Sequence, residues 1–96
     1  MVFEWEPEKS DANLQERGFD FEFATMVFGC PTLETEDLRN NYQERRIVAI
    51  GVADGLHLTV VYTDRGKEGG DPVRRIISAR RSNRRERRAY RKAISG

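Results

Sequence analysis

Cysteine and histidine are almost absent from this chain. Cys30 is the single cysteine, so neither an intrachain disulfide framework nor a zinc site built from several cysteines can form. His57 is the single histidine, which argues against a multi-histidine metal site. We therefore expect a protein that works without a metal or another cofactor, in a reducing compartment.

Long apolar runs are also missing. No stretch approaches the roughly 20 apolar residues that span a bilayer. The first residues have no basic region followed by an apolar core, so a secretory signal is not expected. These features predict a cytoplasmic protein with no membrane partner. A length of 96 residues with 38% apolar side chains suits one compact domain and is too small for two. We therefore expect a single domain over residues 1–96.

The charges are divided unevenly along the chain. The net charge is +1. Residues 1–44 carry 3 basic and 11 acidic side chains (3 − 11 = −8), whereas residues 45–96 carry 14 basic and 5 acidic ones (14 − 5 = +9). Most of the cations are arginines, whose planar fork matches a phosphate in two-point contact. This division indicates a surface for polyanions on the basic half, although acidic helices neutralising a basic sheet would produce the same pattern.

Two helices are predicted in the acidic half, after a short aromatic strand at residues 2–5. Pro7 suits the first turn of the first helix, and Gly18 suits its end. Asp20 is a plausible N-cap for the second helix, which has a wide apolar stripe and ends before Pro31. One side of the first helix carries a polar line: Lys9, Asn13, Glu16 and Arg17.

The middle of the chain predicts antiparallel strands. Residues 32–45 suggest a short edge strand and a loop with a turn at Asn40-Asn41. Better strands follow at 46–52, 56–63 and 73–79. The first two are joined by a tight turn with Asp54-Gly55 at its centre, and the last two by a loop over 64–72. Connections this short favour antiparallel pairing.

The last predicted element is a basic helix from Arg84 to about Ala93. Asn83 and Glu86 have the spacing of a capping box, and Ala89, Tyr90 and Ala93 can pack inward. Several arginines crowd the N-terminal end, where cations oppose the helix dipole. A phosphate or an acidic partner would relieve this repulsion; the alternative is a solvated surface helix. The cations on the outer side are Arg84, Arg85, Arg87, Arg88, Arg91 and Lys92.

Several segments together resemble the BrnT family. The opening residues 3–9 with Asn13 and Gly18, the middle residues 58–65, and the end with Glu86-Arg87 and Tyr90 follow the family pattern in order and with similar spacing. The most specific part is the run Arg75-Ile76-Ile77-Ser78-Ala79-Arg80 together with Glu86-Arg87 and Tyr90.

The resemblance implies an α+β, RelE-like fold. In it, an antiparallel sheet of three to four strands packs with two N-terminal helices and one basic C-terminal helix. It also implies the toxin of a bacterial type II toxin–antitoxin pair, acting as an endoribonuclease without a metal. The implied partners are RNA and a BrnA-like antitoxin with a ribbon-helix-helix part, in a hetero-oligomer that reaches DNA only through the antitoxin.

Two positions depart from the family pattern. Arg17 stands where members commonly have a histidine, and Cys30 stands where an aspartate often precedes the proline. An arginine does not lose its proton under ordinary conditions, so Arg17 cannot act as a general base. The alternative function is therefore a weakened toxin homologue, or a small module that binds RNA or antitoxin without cleaving RNA.

Candidate catalytic residues are Arg65 and Arg80 for charge stabilisation, Glu86 as a base, and Lys9 as a further cation. Flush pairing of the strands would leave Arg65 and Arg80 at opposite ends, and sequence alone does not bring them together. Glu86 could instead serve as a cap and Lys9 in a surface ion pair. The lone His57 is also a candidate for catalysis, with a solvated turn residue as its ordinary role. The candidate RNA-binding residues are Arg17, Arg75, Arg81, Arg84, Arg85 and Tyr90, of which Arg75 could equally form a sheet salt bridge and Tyr90 a core contact.

Overall fold

The fold is a five-stranded sheet with three helices. The computed structural model describes residues 1–39, 44–66 and 70–95. The strands are β1 (Val2–Trp5), β2 (Leu33–Glu36), β3 (Ile47–Ala53), β4 (Leu56–Arg65) and β5 (Val73–Arg81). The helices are α1 (Pro7–Arg17), α2 (Phe21–Ala24), which continues as a 3₁₀ turn (Thr25–Gly29), and α3 (Arg84–Ser95).

The sheet is mixed, with the strand order β1-β5-β4-β3-β2. The pairs β2–β3, β3–β4 and β4–β5 are antiparallel, as expected, but β1 lies parallel to β5. The prediction of three to four antiparallel strands was therefore wrong in strand number and in the direction of β1. Short connections reveal only pairing between neighbours in the chain, whereas β1 pairs with the last strand.

β1 covers only half of β5. Its register runs from Val2 opposite Val73 to Trp5 opposite Ile76. The segment from Ile77 to Arg81 extends past the end of β1, and α1 begins directly beyond that point. A β-bulge at Ile77, where β5 has one residue more than β4, separates the two halves of the strand.

Local signals placed the Asp54-Gly55 turn, the end of α1 and the N-cap of α2 correctly. Asp54 and Gly55 both have positive φ angles, 48° and 82°, as a two-residue hairpin turn requires. Gly18 ends α1 with φ 85°, and the Asp20 side chain accepts a hydrogen bond from the backbone N–H of Phe23. The second helix is shorter than expected, because it tightens into the 3₁₀ turn at Thr25.

The hydrophobic core lies between one face of the sheet and the acidic half of the chain. Phe21 and Val27 pack against Leu58, Val60 and other residues of the central strands. Gly51 permits this close approach, since a Cβ there would lie 2.9 Å from the Val27 Cβ. We call this side of the sheet the core face and the opposite side the open face.

The basic helix α3 lies at one end of the open face, against β2 and β3. Tyr90 is its only buried side chain within the described residues, whereas Ala89 and Ala93 are exposed, so the predicted inward packing of these alanines was wrong. Hydrogen bonds of the first turn set the rotation of the helix. Arg87 donates to the Ser82 carbonyl oxygen, and Glu86 accepts from Arg80.

Two sequence predictions lie wholly or partly outside the described residues: the Asn40-Asn41 turn, and the centre of the 64–72 loop at 67–69. The start of that loop belongs to β4, which continues to Arg65. Across the described ranges, no helix has the length and apolar character needed to cross a bilayer.

Candidate functional site

The open face holds a pocket of about 340 Å³ next to α3. Its floor consists of short side chains from four strands: Thr35, Val48, Thr59, Val61 and Ser78. Its rim consists of the segment 36–39 on one side and Arg80 with Glu86 on the other. We call this the sheet pocket. Small residues on the floor and charged residues on the rim leave space for a polar ligand.

Arg80 and Glu86 form a two-point ion pair at this rim. The two Arg80 Nη atoms lie 2.7 and 2.8 Å from the two carboxylate oxygens of Glu86. The predicted capping box is confirmed, because the Asn83 side chain accepts from the Glu86 N–H and Glu86 accepts from the Asn83 N–H, both at 2.8 Å. One carboxylate thus both caps α3 and fixes an arginine beside the pocket.

The surroundings of Glu86 keep it ionised. The hydrogen bonds from Arg80 are the main cause of a lowered pKa, and they outweigh the opposing effect of burial. The backbone N–H of Asn83 and the hydroxyl of Thr59 lower the pKa of Glu86 further. Glu86 is therefore a carboxylate at neutral pH and a weak base.

A second guanidinium, that of Arg39, borders the same pocket, and sequence reasoning missed it. Arg39 makes a two-point contact with Asp37, at 3.0 and 3.1 Å. Its charge acts to lower the pKa of Arg80, although the pKa of Arg80 remains raised because of its bond to Glu86. Arg39 lies in the acidic half of the chain, far in sequence from the basic cluster, so no motif connected it with Arg80.

Arg65 and Arg75 lie farther along the open face. Arg75 is opposite Thr63, and Arg65 lies six positions along β4 from Thr59, the partner of Arg80. At about 3.3 Å per residue this separates Arg65 from Arg80 by about 20 Å. Arg75 pairs with Glu4 at 2.8 Å and Arg65 with Glu44 at 3.7 Å. The structure thus does not bring Arg65 and Arg80 together around one phosphate.

Lys9 and Arg17 line a second cleft of about 310 Å³ between α1 and the uncovered part of β5. The predicted line on α1 is confirmed, since Asn13 and Glu16 also line this edge cleft. Arg17 donates to the Asn13 side chain at 2.8 Å, and Lys9 lies 3.9 Å from Glu6. Ser78 lines both the edge cleft and the sheet pocket, so the two meet at the edge of β5.

A comparison with protein families decides which family this is. The sequence model described as the ribonuclease toxin BrnT of a type II toxin–antitoxin system matches residues 5–86. The chain belongs to the BrnT family. The resemblance noted in the sequence is confirmed, and with it the family's character as ribonuclease toxins. A search of curated proteins gave no match.

The BrnT match spans Lys9, Arg65, Arg80 and Glu86 and ends inside the first turn of α3. The rest of that helix, with Arg88, Arg91 and Lys92, lies beyond it. Within the described ranges of this BrnT chain, no group of three potential metal ligands comes together.

The remaining candidate residues lie in separate surroundings outside the sheet pocket. Arg81 lines a pocket with Leu14 and Phe19 next to the core face, away from the sheet pocket. Tyr90 is buried and donates to the Pro31 carbonyl oxygen at 2.8 Å, so it holds α3 to the fold. His57 packs edge-on against the Tyr90 ring, with centroids 5.7 Å apart.

Arg84 and Arg85 are exposed and border an open cavity together with Arg88. Among the described residues they have no acidic neighbour within ion-pair distance. Cys30 is exposed as well.

A further arginine has a structural role that sequence reasoning did not assign. Arg74 makes a two-point contact with Asp64 at 2.8 and 2.9 Å. Its guanidinium lies 4.0 Å from the Tyr62 ring centroid and 4.8 Å from that of Phe28. Tyr62 donates to Glu34 at 2.6 Å, and burial is the main cause of its raised pKa. This cluster joins β2, β4 and β5 on the core face.

Proposed function

We propose that this BrnT chain is an endoribonuclease toxin that cleaves RNA at the sheet pocket without a metal. The observation that carries the proposal is the Arg80–Glu86 pair at the rim of a pocket with a small-residue floor. Cleavage without a metal uses the neighbouring 2′-hydroxyl as nucleophile. The protein must accept its proton, protonate the leaving oxygen and stabilise the added charge on the phosphate.

Arg80 suits the third of these tasks. Its guanidinium is always protonated, and its two-point bond with Glu86 fixes its orientation before substrate arrives. A preorganised cation directed at developing charge is the most effective means of stabilising it. Arg39, on the same rim, adds a second positive charge beside the phosphate position.

Glu86 suits the first task. It is ionised at neutral pH, so it can accept the proton of a 2′-hydroxyl that enters the pocket next to Arg80. Water at this open pocket supplies the proton for the leaving 5′-oxygen, so one proton is taken from the substrate and one is returned to it. Its lowered pKa makes the transfer slow. A phosphate that shares the Arg80 guanidinium with Glu86 weakens the main cause of this lowering while the pair stays in place, so substrate binding would strengthen the base.

The other candidates act on the substrate around this centre. Lys9 and Arg17 in the edge cleft reach RNA that passes over Ser78 at the edge of β5. Arg65 and Arg75 follow the open face in the other direction and contact phosphates several nucleotides away. Arg81 faces a different pocket and is the weakest candidate for an RNA contact.

The proposal is tested with purified protein, EDTA and both single-stranded and folded RNA. We expect products that end in a 2′,3′-cyclic phosphate. Arg80→Ala should reduce kcat by about 100-fold or more, the usual cost of removing a preorganised charge-stabilising group. Arg65→Ala is the matched control and should raise KM with little change in kcat. Cleavage that needs added metal, or an Arg80→Ala variant as active as the original, would contradict the proposal.

The partner proposed for this chain is a BrnA-like antitoxin with a ribbon-helix-helix part, which neutralises it and connects it with DNA in the cytoplasm. Expression of the chain alone should arrest growth, and co-expression of the adjacent small open reading frame should restore it. Growth that continues in both cultures would count against a toxin.

A weakened toxin that binds RNA or antitoxin without cleaving is the second candidate. The observation in its favour is that Glu86 already has two structural partners, Arg80 and Asn83, while Arg17 cannot accept a proton. Intact RNA after incubation with folded protein, both alone and with ribosomes, would support this candidate.

A further inference from the structure

We propose that the outer side of α3 is an exosite for the phosphate backbone of RNA, separate from the sheet pocket. It would hold long RNA in place while a distant phosphodiester is cut. This inference rests on the proposed function and extends it to the choice of substrate by length. The exosite residues, here called the arginine stripe, are Arg84, Arg85, Arg88, Arg91 and Lys92.

The stripe is one continuous surface. Spacings of three, four and seven residues place side chains on one side of a helix, and Glu86 and Tyr90 occupy the opposite, inner side. From Arg84 to Lys92 the stripe spans about 12 Å at 1.5 Å per residue. All five side chains are exposed, and three of the arginines border an open cavity of about 370 Å³.

The stripe has no internal counter-charge. Arg74, Arg75 and Arg80 on the sheet each pair with a carboxylate at 2.8 Å or less. Among the described residues no carboxylate lies within 4.0 Å of a stripe cation. Glu86, the acid within α3, is paired with Arg80 instead. Cations at the start of a helix also oppose its dipole. An anion from outside the chain would compensate both effects.

The composition of the stripe favours RNA over a protein partner. Stable protein interfaces have an apolar centre with aromatic anchors. The stripe contains neither, and the single aromatic residue of the helix, Tyr90, is buried on the other side. Guanidinium groups in a row suit a row of phosphates, and with no group placed to read base edges the contact is independent of sequence.

The stripe also lies apart from the sheet pocket. Glu86 faces that pocket, whereas Arg85 and Arg88 point away from it on the outer side of the same helix. An RNA that reaches both must pass around the first turn of α3, so a tetranucleotide held in the pocket should make fewer contacts with the stripe than long RNA does. The family match ends at residue 86, so most of the stripe belongs to the part of the chain outside that match.

The test compares Arg88→Gln/Arg91→Gln/Lys92→Gln with the unchanged protein. Binding is measured by fluorescence anisotropy on a long RNA with 2′-O-methyl groups, which cannot be cleaved by 2′-hydroxyl attack. Cleavage is measured on unmodified long RNA and on a tetranucleotide. We expect about tenfold weaker binding at physiological salt and a salt slope reduced by about 0.7 for each lost phosphate contact. The loss in cleavage should lie in KM and be several-fold larger for long RNA.

Two controls define the result. Arg45→Gln removes an exposed arginine that pairs with Glu36 and lies outside α3, and should weaken binding far less than the stripe variant does. Arg88→Lys/Arg91→Lys keeps the charges and should retain most of the affinity. Circular dichroism checks that α3 remains helical in each variant.

Three outcomes would overturn the exosite. Equal losses on the tetranucleotide and on long RNA would assign the stripe to the cleavage site. Unchanged RNA affinity with lost antitoxin binding would assign it to a protein partner. Unchanged affinity for both would leave a solvated helix. The binding measurement does not depend on cleavage, so an inactive protein would refute the proposed function without deciding the exosite.

Discussion

The arginines of the sheet and those of α3 have the same chemistry but different surroundings. On the sheet, Arg74, Arg75 and Arg80 each contact a carboxylate, and Arg74 also packs against two aromatic rings. On the outer side of α3, the described cations have no such partner. The comparison shows that a basic half of a chain can contain one group of cations that stabilises the fold and another that is available to a ligand.

The largest change in stability is expected when an arginine of the sheet is replaced. Arg74→Gln should lower the free energy of unfolding by about 1–3 kcal/mol, because it removes both the contact with Asp64 and the packing on Tyr62 and Phe28. Arg75→Gln is the matched control. It loses an ion pair but no ring contact, and should cost at most about 1 kcal/mol. Urea denaturation measures both; equal losses would show that the rings contribute nothing.

An intermediate change in stability is expected at Glu86, which links Arg80 of the sheet to the first turn of α3. A folded-state pKa below the unfolded value means that the ionised carboxylate stabilises the fold at neutral pH. This stabilisation should be complete above the ordinary glutamate pKa of about 4.3 and lost as the pH falls through the lower folded value. The stability difference between the original protein and Glu86→Gln should therefore decrease from pH 7 to pH 3. A difference that stays constant would contradict the assignment.

The smallest change in stability is expected when arginines of α3 are replaced. Arg84→Gln/Arg85→Gln should leave stability unchanged or raise it by a few tenths of a kcal/mol, since it removes cations that oppose the helix dipole. The same change should weaken RNA binding. Thermal unfolding at low and high salt measures the first effect, and the gain should shrink with salt. A clear loss of stability would mean that these cations do have partners in the fold.

Features determined by neighbouring residues could be predicted from the sequence. Asn83 and Glu86 are three residues apart, Asp54 and Gly55 are adjacent, and the polar line on α1 follows helical spacing, so local geometry alone decides each of them. The orientation of α3 could not be predicted, because it depends on the bond from Arg80 to Glu86 and the bond from Tyr90 to Pro31.

Contacts between residues far apart in the sequence could not be predicted either, because no local pattern encodes them. The neighbour of Val2 in the sheet is Val73, and Arg39 meets Arg80 only after β2 has joined the sheet. The distance between Arg65 and Arg80 follows from the strand register. Arginine-rich composition indicated a polyanion surface but did not show which cations the fold had already neutralised.

The parallel pairing of β1 with β5 has a consequence for synthesis. A ribosome releases β1 before β5, and β2, β3 and β4 are made between them. The nascent chain therefore cannot complete this sheet until β5 has emerged, and contacts this distant in sequence slow folding. A fragment that stops before residue 73 lacks Arg80 and Glu86 and leaves β1 without a neighbour. A cell that makes this protein thus has an interval between the synthesis of β1 and the assembly of the pocket that contains Arg80 and Glu86.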